Sequence, residues 1–214
     1  MNYVSTRGGV APVDFSAAVM MGLGTDGGLL VPETVPQVDG DTLAAWARLA
    51  FPDLALEVMA PFVGKAIPRD HLAGLIRRSY AGFSHPQVTP VVEVGGTRIL
   101  ELFHGPTAAF KDVALQLMPE LTATAKRLTG DKTHTLILVA TSGDTGKAAL
   151  EGYKNAAGLS IVVFYPHGGV SEVQRLQMAT TDGTNTKVFA VRGNFDDCQT
   201  GVKALFMDSA LRDY

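Results

Sequence analysis

The chain has 214 residues, 46% of them hydrophobic and 18% charged, with a net charge of −3, the balance of an ordinary globular domain rather than a disordered or membrane-embedded one. Its basic residues are dispersed, which excludes the electrostatic footprint of a nucleic-acid or anionic-membrane binder. One cysteine, Cys198, excludes an intrachain disulfide and suits a reducing compartment; with no apolar run of membrane length and no signal-like start, a cytoplasmic location is expected.

Residues 1–88 read as a mainly helical amino-terminal region, its short helical patterns broken by Pro32, Pro36, Pro52, Pro61, Pro68 and Pro86. Asp41 is a candidate cap for a helix carrying Leu43, Trp46, Ala47 and Ala50. A clearer helix starts near Arg69 and sets Leu72, Leu75, Ile76, Tyr80 and Phe83 on one stripe. Such stripes are core packing, and chemistry is expected here only from Thr6 and Arg7, if anywhere.

Residues 89–214 alternate strand and helix patterns. Strands are expected at 91–94, 98–103, 135–139, 161–165 and 187–191, with a Gly95-Gly96 turn between the first two. Helices are expected near 110–128, interrupted at Pro119, then at 145–157 ending at Gly158, at 172–181 with a Ser171/Gln174 capping box, and at 196–211. The fold class is α/β, with a parallel four-stranded sheet flanked by helices. There are no repeats, low-complexity tracts or long linkers.

Two segments carry chemistry. In the run from Leu102 through His104, Gly105, Pro106, Thr107, Ala108, Ala109 and Phe110 to Lys111 and Asp112, an amine opens a helix after a strand and a turn. An ε-amine is nucleophilic only when deprotonated, which an apolar cleft favours, so the position suits a Schiff-base lysine. The alternative is a solvated helix lysine. The second segment is Thr141, Ser142, Gly143, Asp144, Thr145 and Gly146, between the apolar run Thr135–Val139 and a helix start. A small-residue loop there aims backbone N–H groups and the positive helix end at an anion, with Ser142 and Thr145 adding hydroxyls; the alternative is a plain capping turn. If both segments follow neighbouring parallel strands, they share the ligand-binding edge of the sheet. Gly193 to Asp197 looks like a phosphate loop, but adjacent Asp196 and Asp197 would repel a dianion and fit the helix dipole better.

With these two segments, the Tyr3–Gly8 run, the turn from Asp26 to Pro32 and the Gly193–Gln199 run, the chain resembles the threonine synthase family of pyridoxal 5'-phosphate (PLP) enzymes, fold type II, from residue 3 to about residue 210. The lysine segment is the most specific part; the SGDTG loop is shared more widely in the fold. The resemblance implies the small PLP domain at 89–214, Lys111 as catalytic and cofactor-binding lysine, and Ser142, Gly143, Asp144, Thr145 and Gly146 as receptor of the substrate α-carboxylate. Asp112 either meets the PLP phenolic oxygen or favours the helix start. Asp144 either points away to cap the helix or leaves binding to the amides and hydroxyls. His104 is a weaker candidate for a phosphate contact or proton relay, and Arg7 for a phosphate contact; no metal is expected.

The implied reaction converts O-phospho-L-homoserine and water to L-threonine and phosphate. The family's cofactor-phosphate loop lies in a carboxyl-terminal PLP domain beyond residue 214, so the chain is expected to be an amino-terminal half, inactive or poorly active alone, and its ending at Leu211–Tyr214 reads as a cut. The alternatives are another fold type II lyase, such as a threonine or serine dehydratase, or a non-catalytic phosphate-ester-binding module. The Tyr3–Gly8, Asp26–Pro32 and HGPT segments favour the synthase over a dehydratase. Oligomeric state is not legible.

Overall fold

A computed structural model of the chain describes residues 1–208 and residue 210. It comprises two compact units, one of Met1–Glu101 with Glu120–Lys132 and one of Leu102–Pro119 with Thr133–Tyr214.

The first unit opens with β1 (Asn2–Ser5), β2 (Val13–Asp14), α1 (Phe15–Met21) and β3 (Leu30–Pro32). The strands form an antiparallel sheet in the order β2-β1-β3, with Val4 opposite Val31 and Ser5 opposite Leu30. The leader therefore contains a sheet that its proline-rich helical patterns did not suggest. Next come α2 (Gly40–Trp46), α3 (Phe51–Val63) and α4 (Arg69–Tyr80). Asp39, not Asp41, caps α2, its carboxylate accepting from the Thr42 amide; Asp41 lies in the first turn, where a carboxylate complements the helix dipole. Pro52 does not break α3 because it occupies the first turn, where the missing N–H has no intrahelical partner; Pro61 is accommodated near the carboxyl end. The stripe on α4 is buried at Leu72, Leu75, Ile76 and Tyr80. α4 packs on α3, and the Tyr80 ring meets Phe51 and Phe83 edge-on at centroid distances of 4.9 and 5.4 Å.

β4 (Val91–Val94) and β5 (Thr97–Leu100) close this part of the chain as an antiparallel hairpin, Val91 opposite Leu100. This corrects the expected four-stranded parallel sheet and the placing of the lysine segment after a neighbouring parallel strand. A two-residue connection returns a chain only antiparallel, and Gly95 and Gly96, at φ 56° and 79°, supply the left-handed pair such a turn requires. α5 (Asp112–Leu115) and α6 (Met118–Thr129) follow; the expected single helix divides just before Pro119, which falls in the first turn of α6.

The second unit is built on β6 (Thr135–Ala140), α7 (Asp144–Tyr153), β7 (Leu159–Pro166), α8 (Glu172–Ala179), β8 (Thr186–Val191) and α9 (Phe195–Met207). The sheet is parallel and three-stranded in the order β6-β7-β8. β7 is central, and its alternate residues Leu159, Ile161, Val163 and Tyr165 join Ala149, Leu150 and Tyr153 of α7 and Met178 of α8 in one core. Leu150, Ile161 and Val163 have no exposed surface, and burying each stabilises the fold by about 1.5–3 kcal/mol. α7 ends at Tyr153, before the expected Gly158, since Asn155 takes the left-handed conformation first, at φ 60°. The Ser171/Gln174 capping box forms. Asn194 and Asp197 form a second at the start of α9, so the Asp197 carboxylate accepts from the Asn194 amide. The end of the last expected helix, at residue 211, lies outside the described residues.

Candidate active site

Residues 102–117 contain no long element, yet they are tightly organised around one side chain. Asp112 has no exposed surface. Its Oδ2 accepts from the Thr107 amide at 2.8 Å, and its Oδ1 from the Thr107 hydroxyl at 2.7 Å and Gln116 Nε2 at 3.2 Å. Bonds to a buried carboxylate are among the stronger ones in proteins, and these close the stretch before the lysine into a loop. Ala108 takes φ 57° inside it, and at Gly105 a Cβ would fall 2.4 Å from the Asp112 carboxylate, so the loop needs a glycine there.

This geometry puts Lys111 at the turn into α5. Its carbonyl accepts the first bonds, from the Leu115 amide at 2.9 Å and the Ala114 amide at 3.2 Å, while its side chain stays outside the network. Lys111 is half-buried, and Nζ lies 4.4 Å from the centroid of the Phe110 ring. Among the described residues it has no ion-pair partner, since the adjacent Asp112 is turned inward. Of the expected apolar wall, Ala109 is buried, whereas Phe110 is 56% exposed and presents its ring to the amine.

The second segment is organised by Thr141, which is 2% exposed. Its Oγ1 accepts from the Gly143 amide at 3.0 Å and the Gly146 amide at 2.9 Å, and donates to the Gly143 carbonyl at 3.1 Å. Gly143 has φ 148°, a backbone state that favours glycine. At Gly146 a Cβ would fall 2.5 Å from Thr141 Cγ2 and 2.9 Å from Val163 Cγ1. Because two of the five expected loop amides already bind Thr141, the donors left for an anion are the Ser142 amide, the first-turn amides of Asp144 and Thr145, which have no intrahelical partner, and the Ser142 and Thr145 hydroxyls. The Asp144 carboxylate accepts from Gln174 Nε2 at 2.7 Å.

The two segments are joined within the same unit. α5 packs on α7, and Gln116 Nε2, besides its bond to Asp112, donates to the Ala148 carbonyl at 3.3 Å. Gly152 permits the close approach, since a Cβ there would fall 2.1 Å from the Leu115 carbonyl oxygen. Sequence reasoning gave no role to Thr107, Gln116 or Thr141, and saw Gln174 only as a cap. Gln116 was open to discovery, standing four residues after Asp112 on one helical face; Gln174 was not, its partner being 30 residues away.

The His104 ring lies tilted against that of Phe103, at a centroid distance of 4.6 Å and 33° between the planes. In the first unit, Arg7 Nη1 donates to the Asp26 carbonyl at 3.0 Å, and Thr6 Oγ1 accepts from the Leu29 amide at 3.0 Å. Both therefore brace the turn that contains Asp26. No helix among the described residues is long and apolar enough to cross a membrane.

Among the described residues, an amine with no carboxylate partner and, in the same unit, a helix start with spare amide donors are the kinds of group that the lysine side and the carboxylate side of PLP chemistry use. Comparison with known proteins points the same way. The family model "Threonine synthase N terminus" matches residues 2–80. Threonine synthase of Pseudomonas aeruginosa is 44% identical over 212 residues, covering 99% of this chain and 45% of that protein. Threonine synthase-like 2 of Xenopus laevis is 40% identical, covering 98% and 44%. The PLP-bound threonine synthase of Brucella melitensis superposes with a TM-score of 0.89 at 40% identity, covering 100% of this chain and 46% of that one. The chain spans about 45% of the length of the curated relatives it matches. Residues 2–80 match the threonine synthase amino-terminal family model, and the chain as a whole is similar to the amino-terminal portion of threonine synthases.

Proposed function

We propose that this chain forms the lysine-bearing part of a PLP-dependent threonine synthase, which converts O-phospho-L-homoserine and water to L-threonine and phosphate. The observation that carries the reading is the Lys111 amine, which stands unpaired on a turn locked by Asp112, in a chain 44% identical to a threonine synthase over 99% of its length. Residues 89–214 act as the small domain, with residues 1–88 leading into it and a carboxyl-terminal PLP domain completing the cleft in the full-length protein; relatives about twice as long support this. A cytosolic setting agrees with a single, buried cysteine.

Bound PLP supplies a conjugated electron sink for the carbanion left when a proton departs Cα. Lys111 Nζ would hold the cofactor, and the same amine is the group to take protons from Cα and Cβ of the substrate and to return protons to Cγ and Cα. The amides of Asp144 and Thr145, with the Ser142 and Thr145 hydroxyls, receive the α-carboxylate, and Gly143 and Gly146 let the loop take its shape. Asp112 serves the cofactor site by fixing Lys111, both its oxygens being committed to that task. The net change is loss of phosphate from Cγ and addition of water at Cβ.

In the full-length protein, Lys111→Ala is expected to remove the visible absorbance band of lysine-bound PLP and phosphate release from O-phospho-L-homoserine. A band that survives the substitution overturns the assignment of Lys111.

A further inference from the structure

We propose that Gln174 is a positioning residue that holds the Asp144 carboxylate out of the path of an incoming substrate carboxylate, so that α8 sets the anion affinity of a loop 30 residues before it. The inference rests on the reading of the SGDTG loop as the α-carboxylate receptor.

An anion-receiving loop that carries its own carboxylate must neutralise it or turn it aside. Two cations close in sequence to Asp144 or to Gln174 are committed elsewhere. Lys147 Nζ binds Glu151 at 3.0 Å and the Thr181 hydroxyl at 3.1 Å. Arg175 pairs with Glu172 at 2.6 Å. What meets Asp144 is the neutral Gln174 amide, at 2.7 Å. The same amide group is fixed at both ends, because its Oε1 accepts from the Ser171 amide at 3.1 Å in the capping box of α8. It also lies against the loop backbone: a Cβ on Gly143 would fall 2.4 Å from Gln174 Nε2. One side chain thus caps its own helix, covers Gly143 and holds Asp144. A carboxamide suits all three tasks, whereas a glutamate at this position caps equally well but faces Asp144 with a second acceptor.

That equivalence in capping provides the test. In the full-length protein, Gln174→Glu preserves the capping box and is expected to raise KM for O-phospho-L-homoserine about tenfold, by more than it lowers kcat, a change of ~1.4 kcal/mol in apparent affinity. Adding Asp144→Asn restores a donor–acceptor pair with the net charge of the parent and is expected to return KM to within about threefold of it. A KM untouched by Gln174→Glu, or a rise that Asp144→Asn does not reverse, overturns the proposal. The reading beneath it has a separate control, since the parent protein should bind the substrate's α-carboxamide more weakly than the acid. Equal binding overturns that reading and the inference together, whereas discrimination with a failed rescue overturns the inference alone.

Discussion

Residues 105–116 and residues 141–146 each bend the backbone around a single buried side chain, but the organiser is a carboxylate in the first, Asp112, and a hydroxyl in the second, Thr141. The difference follows from what each segment presents outward. The lysine turn offers a cation, so a buried anion behind it does no harm, provided it is fully hydrogen-bonded and does not reach the amine. The loop is proposed to receive an anion; a neutral hydroxyl gathers its amides, and the carboxylate it carries accepts from Gln174. Electrostatic purpose and folding chemistry agree in both places, with opposite solutions.

Removing either organiser should break its segment, the charged one with the greater effect. Asp112→Ala leaves the Thr107 amide and hydroxyl unpaired in a buried site, and is expected to cost roughly 3 kcal/mol or more in unfolding free energy, with a loss of activity of about a hundredfold as Lys111 loses its fixed position. A urea midpoint and a turnover assay check both; unchanged values would mean that Asp112 does not organise the turn. Thr141→Val keeps the shape but removes the acceptor of the Gly143 amide and the nearer of the two acceptors of the Gly146 amide, which keeps the Gly143 carbonyl at 3.2 Å. A destabilisation of ~2 kcal/mol is expected, with KM affected more than kcat, which the same measurements would show.

The smallest effect, and the one that sharpens the comparison by moving it to a more open setting, concerns Asp26. This carboxylate organises the amino-terminal turn, accepting from the Ser5 hydroxyl, at 2.7 Å to one oxygen, and from the Gly9 and Gly28 amides at 2.7 and 2.9 Å. The Ser5 bond first, then the Gly28 amide, hold its carboxyl below the usual carboxylate range against the opposing effect of desolvation. Because the folded value is depressed, the stabilisation is present above the unfolded value of about 3.9 and disappears as pH falls through the folded one. The stability gap between the parent and Asp26→Asn should therefore be open at pH 6 and close below about pH 4. A gap independent of pH would show that ionisation of Asp26 contributes nothing.

Much of this was legible in the residues themselves. The apolar runs of β6 and β7 announce buried strands, and the Ser171/Gln174 spacing announces a helix start that forms as read. The error at β5 came from giving more weight to an apolar run than to its turn: residues 98–103 match a parallel strand by composition, yet Gly95-Gly96 before them allows only a hairpin. The short amino-terminal strands escaped because two to four residues carry no period. In the candidate site, Lys111 and the loop residues could be nominated from order and spacing. The organisers could not, because the roles of Thr107, Thr141 and Gln174 depend on which donors the folded chain leaves unpaired.

Lys111 starts α5 with its carbonyl, and its side chain holds up no part of the turn. Truncating that side chain therefore removes chemistry without removing architecture. On the proposed reading, a full-length Lys111→Ala protein should remain folded, keep the 141–146 loop and retain the substrate carboxylate without turnover, which makes it a means of trapping the bound complex.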